Sequence, residues 1–155
     1  HSMSKTFSVA GFRLGFVVGN KRIIEGLGQV KTNIDSGVYQ PLQEAAIVAL
    51  EQCWKDCDNY RAIYQARRDL FCNEMKRMKF SFRVPEASFY VWTKVPLGFS
   101  SESFTEFLLK EAGVAVTPGT GFGPEGQGYV RFALTIPEDR IKLGLKRMEE
   151  ALQKR

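Results

Sequence analysis

A helical pattern of apolar residues runs from Leu42 to about Met78 and constrains the fold more than any other feature of this sequence. Apolar positions recur three and four residues apart in both halves of the stretch, which is typical of helices that pack on one face. The pattern is interrupted near Asp58, where we predict a break between two long helices and a domain boundary. The sequence therefore predicts the end of one domain at residues 1–58 and a second domain at residues 59–155.

Short apolar and β-branched runs follow this boundary and alternate with helical segments. We predict four strands, at Phe80–Val84, Ser88–Val95, Val114–Thr117 and Gly128–Thr135. A helix capped by Ser100 or Ser101 is expected between the second and third strands. The pattern Thr135-Ile-Pro-Glu138 matches a capping box with an early proline and predicts the start of the last helix. This order favours an α+β fold, in which a small sheet with packed helices follows the long helices.

The residues before the long helices have a different pattern. Glycines bound an aromatic and β-branched run at Gly11–Gly19, which predicts a strand. Asn20 is expected to cap the helix that follows, because apolar residues recur behind it at helical spacing. The segment Asn33–Pro41 has the composition of a loop. Arg13 is then expected to be a charge inside an apolar strand.

The composition is close to that of an ordinary soluble globular chain, with 44% hydrophobic and 25% charged residues. No apolar run is long enough to cross a bilayer and no secretory signal opens the chain, so we expect a cytoplasmic protein without membrane contact. The net charge of +5 is not concentrated in a basic stripe with aromatic residues, which argues against a nucleic acid partner. Cys53, Cys57 and Cys72 are expected to be reduced thiols, and two of them on one helix face are too few for a metal site.

Lys5 and Arg13 are the two cations near the start of the chain that suggest chemistry. An arginine inside an apolar strand needs an anionic partner, because desolvating it alone is costly. A guanidinium binds phosphate through two parallel hydrogen bonds, and Gly11 and Gly15 would let such a ligand approach the backbone. Lysine forms Schiff bases with carbonyl cofactors. From the residues alone, a surface lysine and a structural ion pair remain the alternatives.

Four segments, in this order, resemble those of the class I and II aminotransferases, which are fold type I pyridoxal-phosphate enzymes. Ser2-Met-Ser-Lys5, with Gly11-Phe-Arg13-Leu-Gly15 behind it, is similar to the family's cofactor-lysine signature. The other similar segments are Asn33–Ala46 before the interdomain helix, Ala87–Trp92 in a small-domain strand, and Pro118–Gly123 with Gly128–Leu134 in the closing loop and carboxylate-binding strand. The Lys5 and Gln40 segments look most like the LL-diaminopimelate, alanine and aspartate aminotransferase-like branches.

The resemblance implies roles for five residues. Lys5 would form the internal aldimine with pyridoxal 5′-phosphate and, once the substrate displaces it, move a proton between substrate Cα and cofactor C4′. Ser2 and Arg13 would hold the cofactor phosphate, while Ser4 would contact the phosphate or cap the turn. Arg131 would bind the substrate α-carboxylate, a role that calls for a planar bidentate donor. Without the resemblance, a strand arginine in a surface salt bridge is the alternative for Arg131.

The resemblance also implies that the complete protein is a homodimeric α/β fold type I aminotransferase acting on an amino acid and a 2-oxo acid. Residues 1–58 would be the end of its large cofactor-binding domain and residues 59–155 its small domain. The groups that contact the cofactor ring in such enzymes lie upstream of the lysine, so the 155-residue chain alone is expected to be an inactive fragment. Two alternatives fit the same resemblance: a C–S β-lyase or decarboxylase, and a non-catalytic effector domain of a transcription regulator.

Overall fold

A computed structural model describes residues 1–154 of the chain. Contacts between residues divide it into two compact units, the first at residues 1–61 and the second from residue 62 onward. The α-helices occupy Met3–Thr6 (α1), Lys21–Thr32 (α2), Gln40–Gln52 (α3), Trp54–Arg77 (α4), Ser101–Phe107 (α5) and Glu138–Gln153 (α6). The strands occupy Tyr90–Lys94 (β1), Thr117–Pro118 (β2) and Tyr129–Ala133 (β3). The predicted α+β fold, a small sheet with packed helices, is confirmed.

The helix predicted after Asn20 is confirmed. The Asn20 side chain accepts a hydrogen bond at 3.0 Å from the backbone N–H of Arg22, so it caps α2. The bond satisfies one of the amides that the first turn of a helix leaves without an intrahelical acceptor. The loop predicted at Asn33–Pro41 is also observed as far as Tyr39, and α3 then begins with a proline in its first turn.

The strand predicted at Gly11–Gly19 is wrong. The segment forms a short 3-10 turn at Ala10–Phe12, and a single antiparallel bridge joins Ser2 to Gly15. A strand persists only where its backbone groups find partners along their length. Because the pairing is limited to the residues beside this one bridge, most of the run stays irregular, and Arg13 does not lie in a strand.

The break between the two long helices lies at Cys53, earlier than the position predicted near Asp58. The indole Nε1 of Trp54 donates a hydrogen bond to the carbonyl of Leu50 at 2.5 Å. In a continuous helix, the backbone N–H of residue 54 would take that acceptor, so the side chain competes with the helical hydrogen bond. No glycine or proline marks the break, and the sequence pattern therefore gave no signal at this position.

The second unit contains an antiparallel sheet in which β3 lies between β1 and β2. Two predicted strands are shorter than expected. Phe80–Val84 contributes only a bridge from Phe82 to Thr93, and Val114–Thr117 pairs only through Thr117 at its end. Both segments lie at edges of the sheet, where the backbone has a neighbouring strand on one side only and pairing is easily lost.

The last two helices differ in how they begin. Ser100, one of the two predicted caps, accepts a hydrogen bond from the N–H of Ser103, whose hydroxyl accepts in return from the N–H of Ser100. The capping box predicted at Thr135 is wrong, because α6 begins at Glu138 and Pro137 occupies the cap position without a side-chain hydrogen bond. Proline has no N–H to donate and disfavours helical conformation in the residue before it.

The core of the second unit lies between one face of the sheet and the helices that pack on it. Its members include Met75 of α4, Val91 and Val130 of the sheet, Phe104 of α5, and Leu145 and Met148 of α6. Successive side chains of a strand point to opposite faces, so Val130 and Phe132 enter the core while Arg131 lies on the other face. Within residues 1–154, no helix is long and apolar enough to cross a membrane.

Candidate active-site residues

Lys5 lies on α1, a single helical turn near the start of the first unit. Ser2 caps this turn, because its Oγ accepts a hydrogen bond from the backbone N–H of Ser4 at 3.3 Å. Met3 is only 2% exposed and anchors the turn, whereas Lys5 and Ser2 are exposed. The segment from Ser2 to Thr6, here called the lysine turn, therefore presents an amine and a hydroxyl at the surface of the unit.

The segment that carries Arg13 is held beside the lysine turn by backbone pairing. The N–H of Met3 donates to the carbonyl of Leu14 at 3.1 Å, and the N–H of Phe16 donates to the carbonyl of His1 at 2.9 Å. A Cβ added to Gly15 would lie 2.7 Å from the His1 carbonyl oxygen, closer than side-chain atoms approach backbone. Glycine at this position is therefore what permits the two segments to pair.

Arg13 has an unusual backbone conformation for an arginine. Its φ of 51° lies in the left-handed region, and it is exposed rather than buried in a strand as predicted. Its Nη1 donates to the carbonyl of Ala10 at 3.0 Å, which orients the side chain along the 3-10 turn. A left-handed residue other than glycine costs about 1–2 kcal/mol. Such strain is characteristic of ligand clamps, where a side chain is needed at a strained position.

Two residues of α4 support the lysine turn, and sequence reasoning missed them. The Cys57 thiol donates to the carbonyl of Thr6 at 3.2 Å, and the Trp54 ring meets the Phe7 ring edge-on at 5.3 Å. Cys57 was expected only as a reduced thiol of the core or surface, and it is free and buried. Nothing in the sequence signals these contacts, because they join positions about fifty residues apart.

The chemistry of these side chains fits a cofactor with an aldehyde and a phosphate. Lys5 supplies the amine that an aldehyde requires. Arg13 supplies an exposed guanidinium for the phosphate. The Ser2 hydroxyl oxygen accepts one hydrogen bond, from the N–H of Ser4, and its own O–H can still donate to a ligand. Lys5, Ser2, Ser4 and Arg13 all belong to the first unit and remain the candidates for binding pyridoxal 5′-phosphate.

Arg131 is the predicted site residue of the second unit. It lies in the middle strand, opposite Trp92 of β1 and Thr117 of β2. Its guanidinium lies over two aromatic rings, with the guanidinium carbon 4.0 Å from the ring centre of Tyr90 and 4.5 Å from that of Phe122. These distances correspond to cation–π stacking, which holds a cation in place while leaving its in-plane N–H groups available.

The Arg131 Nε is buried and donates no hydrogen bond to any residue in the part of the chain that the structure describes. A buried donor without an acceptor costs about 1–3 kcal/mol. Such a donor in a native protein requires an explanation, and one explanation is a ligand that supplies the acceptor. Within residues 1–154 no carboxylate forms a salt bridge with Arg131, so the alternative of a surface ion pair is not observed.

The aromatic residues around Arg131 form a cluster that sequence reasoning did not identify. Trp92 stacks on Tyr129 at 5.7 Å and meets Phe122 edge-on at 5.5 Å. Together with Tyr90 these rings make up what we call the Arg131 face of the sheet. The period-two spacing of Tyr90 and Trp92 was a usable signal, since alternate residues of one strand share a face. The contribution of Phe122 was not predictable, because a loop brings it there.

Comparisons with known proteins place this geometry in context. Residues 1–148 match the family model described as aminotransferase class I and II. Curated relatives include the LL-diaminopimelate aminotransferases of Maridesulfovibrio salexigens, 45% identical over 150 residues, and of Syntrophobacter fumaroxidans, 47% identical over 150 residues. Each alignment covers 97% of this chain and 39% of the relative, so the chain spans about two fifths of the length of these proteins.

Solved structures agree with the sequence relatives. An aromatic aminotransferase from Pyrococcus horikoshii has a TM-score of 0.92 at 35% identity, covering 98% of this chain and 41% of that one. An aminotransferase from Staphylococcus aureus has a TM-score of 0.93 at 34% identity, covering 97% of this chain and 40% of the other. The architecture described above is therefore shared with part of each of these larger proteins.

Proposed function

This chain belongs to the class I and II aminotransferase family, and we propose that the protein carrying it transfers an amino group between an amino acid and a 2-oxo acid. The observation that carries the proposal is the buried, unpartnered Nε of Arg131 beside two aromatic rings. Both substrates of a transaminase present a carboxylate next to the reacting carbon. Arg131 would bind that carboxylate and fix the position of the reacting carbon.

Aminotransferases of this family depend on pyridoxal 5′-phosphate. When bound, the cofactor supplies an electron sink for the negative charge that develops at the substrate Cα. Arg13 and Ser2 would bind its phosphate, with Ser4 either adding a contact or maintaining the turn through its N–H bond to Ser2. The exposed Lys5 would hold its aldehyde carbon covalently in the resting enzyme.

Lys5 is also the proposed acid–base group of the reaction. Its free amine would accept the proton from the substrate Cα and return it at the cofactor C4′. The anchoring of the lysine turn by Met3 and Cys57 supports this role, because proton transfer requires a fixed position of the amine. The lysine turn is thus fixed by its buried contacts, while Lys5 itself stays exposed.

LL-diaminopimelate is the amino acid that we propose to test first. The curated relatives cited above carry that substrate in their names, whereas the solved structures include an aromatic aminotransferase. We further propose a homodimer, and a cytoplasmic location that the three free thiols support, since such thiols persist in reducing compartments. Residues 1–58 are proposed as the end of the large domain and residues 59–155 as the small domain; the contact boundary after Arg61 is close to that division.

The experiment that tests the function separates transamination from the other reactions of the same cofactor. The complete protein is incubated with LL-diaminopimelate, or with an aspartate, alanine and aromatic amino acid panel, with and without 2-oxoglutarate. Transamination predicts formation of a new amino acid only when the 2-oxo acid is present. Release of ammonia or carbon dioxide without a 2-oxo acid would instead identify a lyase or a decarboxylase, and no turnover would favour an effector domain.

A further inference from the structure

The loop between β2 and β3, residues 119–128, brings Phe122 onto Arg131; we call it the Phe122 loop. Its backbone crosses itself so closely that no side chain fits at the crossing. A Cβ added to Gly126 would lie 1.9 Å from the carbonyl oxygen of Gly119, and one added to Gly119 would lie 2.1 Å from that of Gly126. The position of Phe122 therefore depends on where Gly126 is held.

Ser101, the first residue of α5, holds Gly126. Its side chain is fully buried, and its hydroxyl donates to the Gly126 carbonyl at 3.2 Å. The same oxygen accepts from the N–H groups of Gly128 at 2.9 Å and Tyr129 at 3.1 Å. A hydroxyl can donate one hydrogen bond and accept two. Ser101 makes all three: it donates to Gly126 and accepts from Gly128, at the end of the Phe122 loop, and from Tyr129, the first residue of β3.

The next residue of α5 fastens the other end of the loop. The Glu102 carboxylate accepts a hydrogen bond from the hydroxyl of Thr120, two residues before Phe122. This bond, followed by bonds from the Glu102 backbone and the Ser100 hydroxyl, lowers the pKa of Glu102 below its usual value, so the carboxylate stays ionised near neutral pH. The start of α5 thus binds both ends of one loop.

We propose that Ser101 is a positioning residue for carboxylate recognition, which it serves by fixing the Phe122 loop so that Phe122 stacks on Arg131. The inference rests on the proposed role of Arg131 as the carboxylate ligand. Loss of the Ser101 hydroxyl removes the acceptor of two N–H groups and the donor to Gly126 at once. The Phe122 loop is then free to move, and Phe122 no longer restricts the guanidinium of Arg131. Arg131 therefore binds the carboxylate more weakly.

The test measures kcat and KM for LL-diaminopimelate, or for the amino acid that turns over, in the complete protein with cofactor. Ser101→Ala is expected to raise KM roughly tenfold, with kcat within about twofold of the parent value and unchanged cofactor affinity. Ser103→Ala is the matched control: it removes half of the capping box of the same helix but no bond to the loop. KM unchanged in Ser101→Ala, or raised equally in Ser103→Ala, would overturn the proposal.

A double-mutant cycle with Phe122→Ala tests the route of the effect. Because Ser101 is proposed to act through Phe122, Phe122→Ala should raise KM by itself, and adding Ser101→Ala should raise it little further. Additive effects would overturn the proposal. Phe122 is 53% exposed, so its removal is expected to leave the fold intact. Should Ser101→Ala fail to fold, Phe122→Ala alone decides: a raised KM supports the proposal and an unchanged KM overturns it.

Arg131→Lys in the same assay separates this inference from the function on which it rests. A raised KM in Arg131→Lys together with a parental KM in Ser101→Ala would refute only the positioning role. An unchanged KM in Arg131→Lys would refute the carboxylate site itself, and the proposal would fail with it.

Discussion

The guanidinium carbon of Arg131 lies 4.0 Å from the ring centre of Tyr90, which is two positions before Trp92, the residue of β1 that pairs with Arg131. Stacking of this kind restricts rotation of the guanidinium and leaves its N–H groups to acceptors that approach in its plane. A planar carboxylate meets that requirement with two parallel hydrogen bonds. The stacking on Tyr90 therefore holds the guanidinium in an orientation that suits a carboxylate.

Replacement of Arg131 by lysine should weaken binding of the amino acid without affecting the cofactor. An ammonium cannot reproduce the bidentate geometry or the stacking on Tyr90, and a lost charged hydrogen bond is worth about 1.5–3 kcal/mol. We expect a KM raised by roughly tenfold or more. Steady-state kinetics and a cofactor titration of the complete protein measure the two quantities. Arg140→Lys on α6 is the control, and a KM equal to that of Arg131→Lys would show that the effect is not specific to position 131.

Arg13 should affect cofactor affinity and stability in separable ways. Arg13→Ala and Arg13→Gly both remove the guanidinium, so both should weaken binding of pyridoxal 5′-phosphate, and inorganic phosphate should compete with it in the parent protein. Only glycine relieves the left-handed backbone at φ 51°, so Arg13→Gly should be more stable than Arg13→Ala by about 1 kcal/mol. Cofactor titration and urea unfolding measure the two effects. Parental affinity in both variants would make Arg13 purely structural.

The crossing of Gly119 and Gly126 should tolerate no side chain. Gly126→Ala places a methyl group 1.9 Å from a backbone oxygen, which cannot move without displacing the Phe122 loop. We expect destabilisation of about 3 kcal/mol or more. Gly121→Ala in the same loop is the control, because its nearest neighbour is 3.9 Å away, an ordinary contact. Equal unfolding midpoints for the two variants would mean that the loop is not packed as described.

The ion pair between Arg77 and Glu149 should make stability depend on pH in the acid range. Arg77 donates to both Glu149 oxygens, at 2.7 and 2.6 Å, and these bonds lower the pKa of Glu149 below its usual value. A carboxyl whose pKa is lowered by folding stabilises the protein above its unfolded pKa of about 4.3, and this stabilisation is lost as the pH falls through the folded value.

Glu149→Gln should accordingly reduce the loss of stability between neutral pH and about pH 3, as measured by urea unfolding at several pH values. Glu150→Gln is the control on the same helix. Within residues 1–154, Glu150 has only a long ion pair, 3.8 Å from its Oε1 to the Nζ of Lys146, and it makes no hydrogen bond to Arg77. An unchanged pH profile in Glu149→Gln would show that the pair contributes nothing to the acid dependence.

The 155-residue chain by itself is expected to turn over no amino acid. Lys5 and Arg13 are both exposed in it, and catalysis requires surroundings that exclude water and orient charge around the reacting atoms. We expect no saturable binding of pyridoxal 5′-phosphate at micromolar concentration and no transamination. Lys5→Ala in the same chain controls for nonspecific reaction of the aldehyde. Saturable, Lys5-dependent binding with turnover would contradict this prediction.

Much of the fold followed from the sequence because it depends on local signals. The helix after Asn20 begins where a capping side chain precedes an apolar stripe, and the helix after Ser100 does the same. The apolar and β-branched residues of Gly128–Thr135 predicted the strand that is observed as β3. The candidate site residues were named from short motifs, in which the spacing along the chain can be seen in the sequence. Their roles remain predictions.

Only the tertiary structure decided features that depend on residues distant in sequence. The run at Gly11–Gly19 has the composition of a strand, yet strand formation requires a partner, and the bridge to Ser2 is too short to provide one. The helix break at Cys53 coincides with a side-chain hydrogen bond of Trp54 that the apolar periodicity does not indicate. The rings on Arg131 and the bonds of Ser101 join a loop, a helix and two strands, and such contacts exist only after the chain has folded.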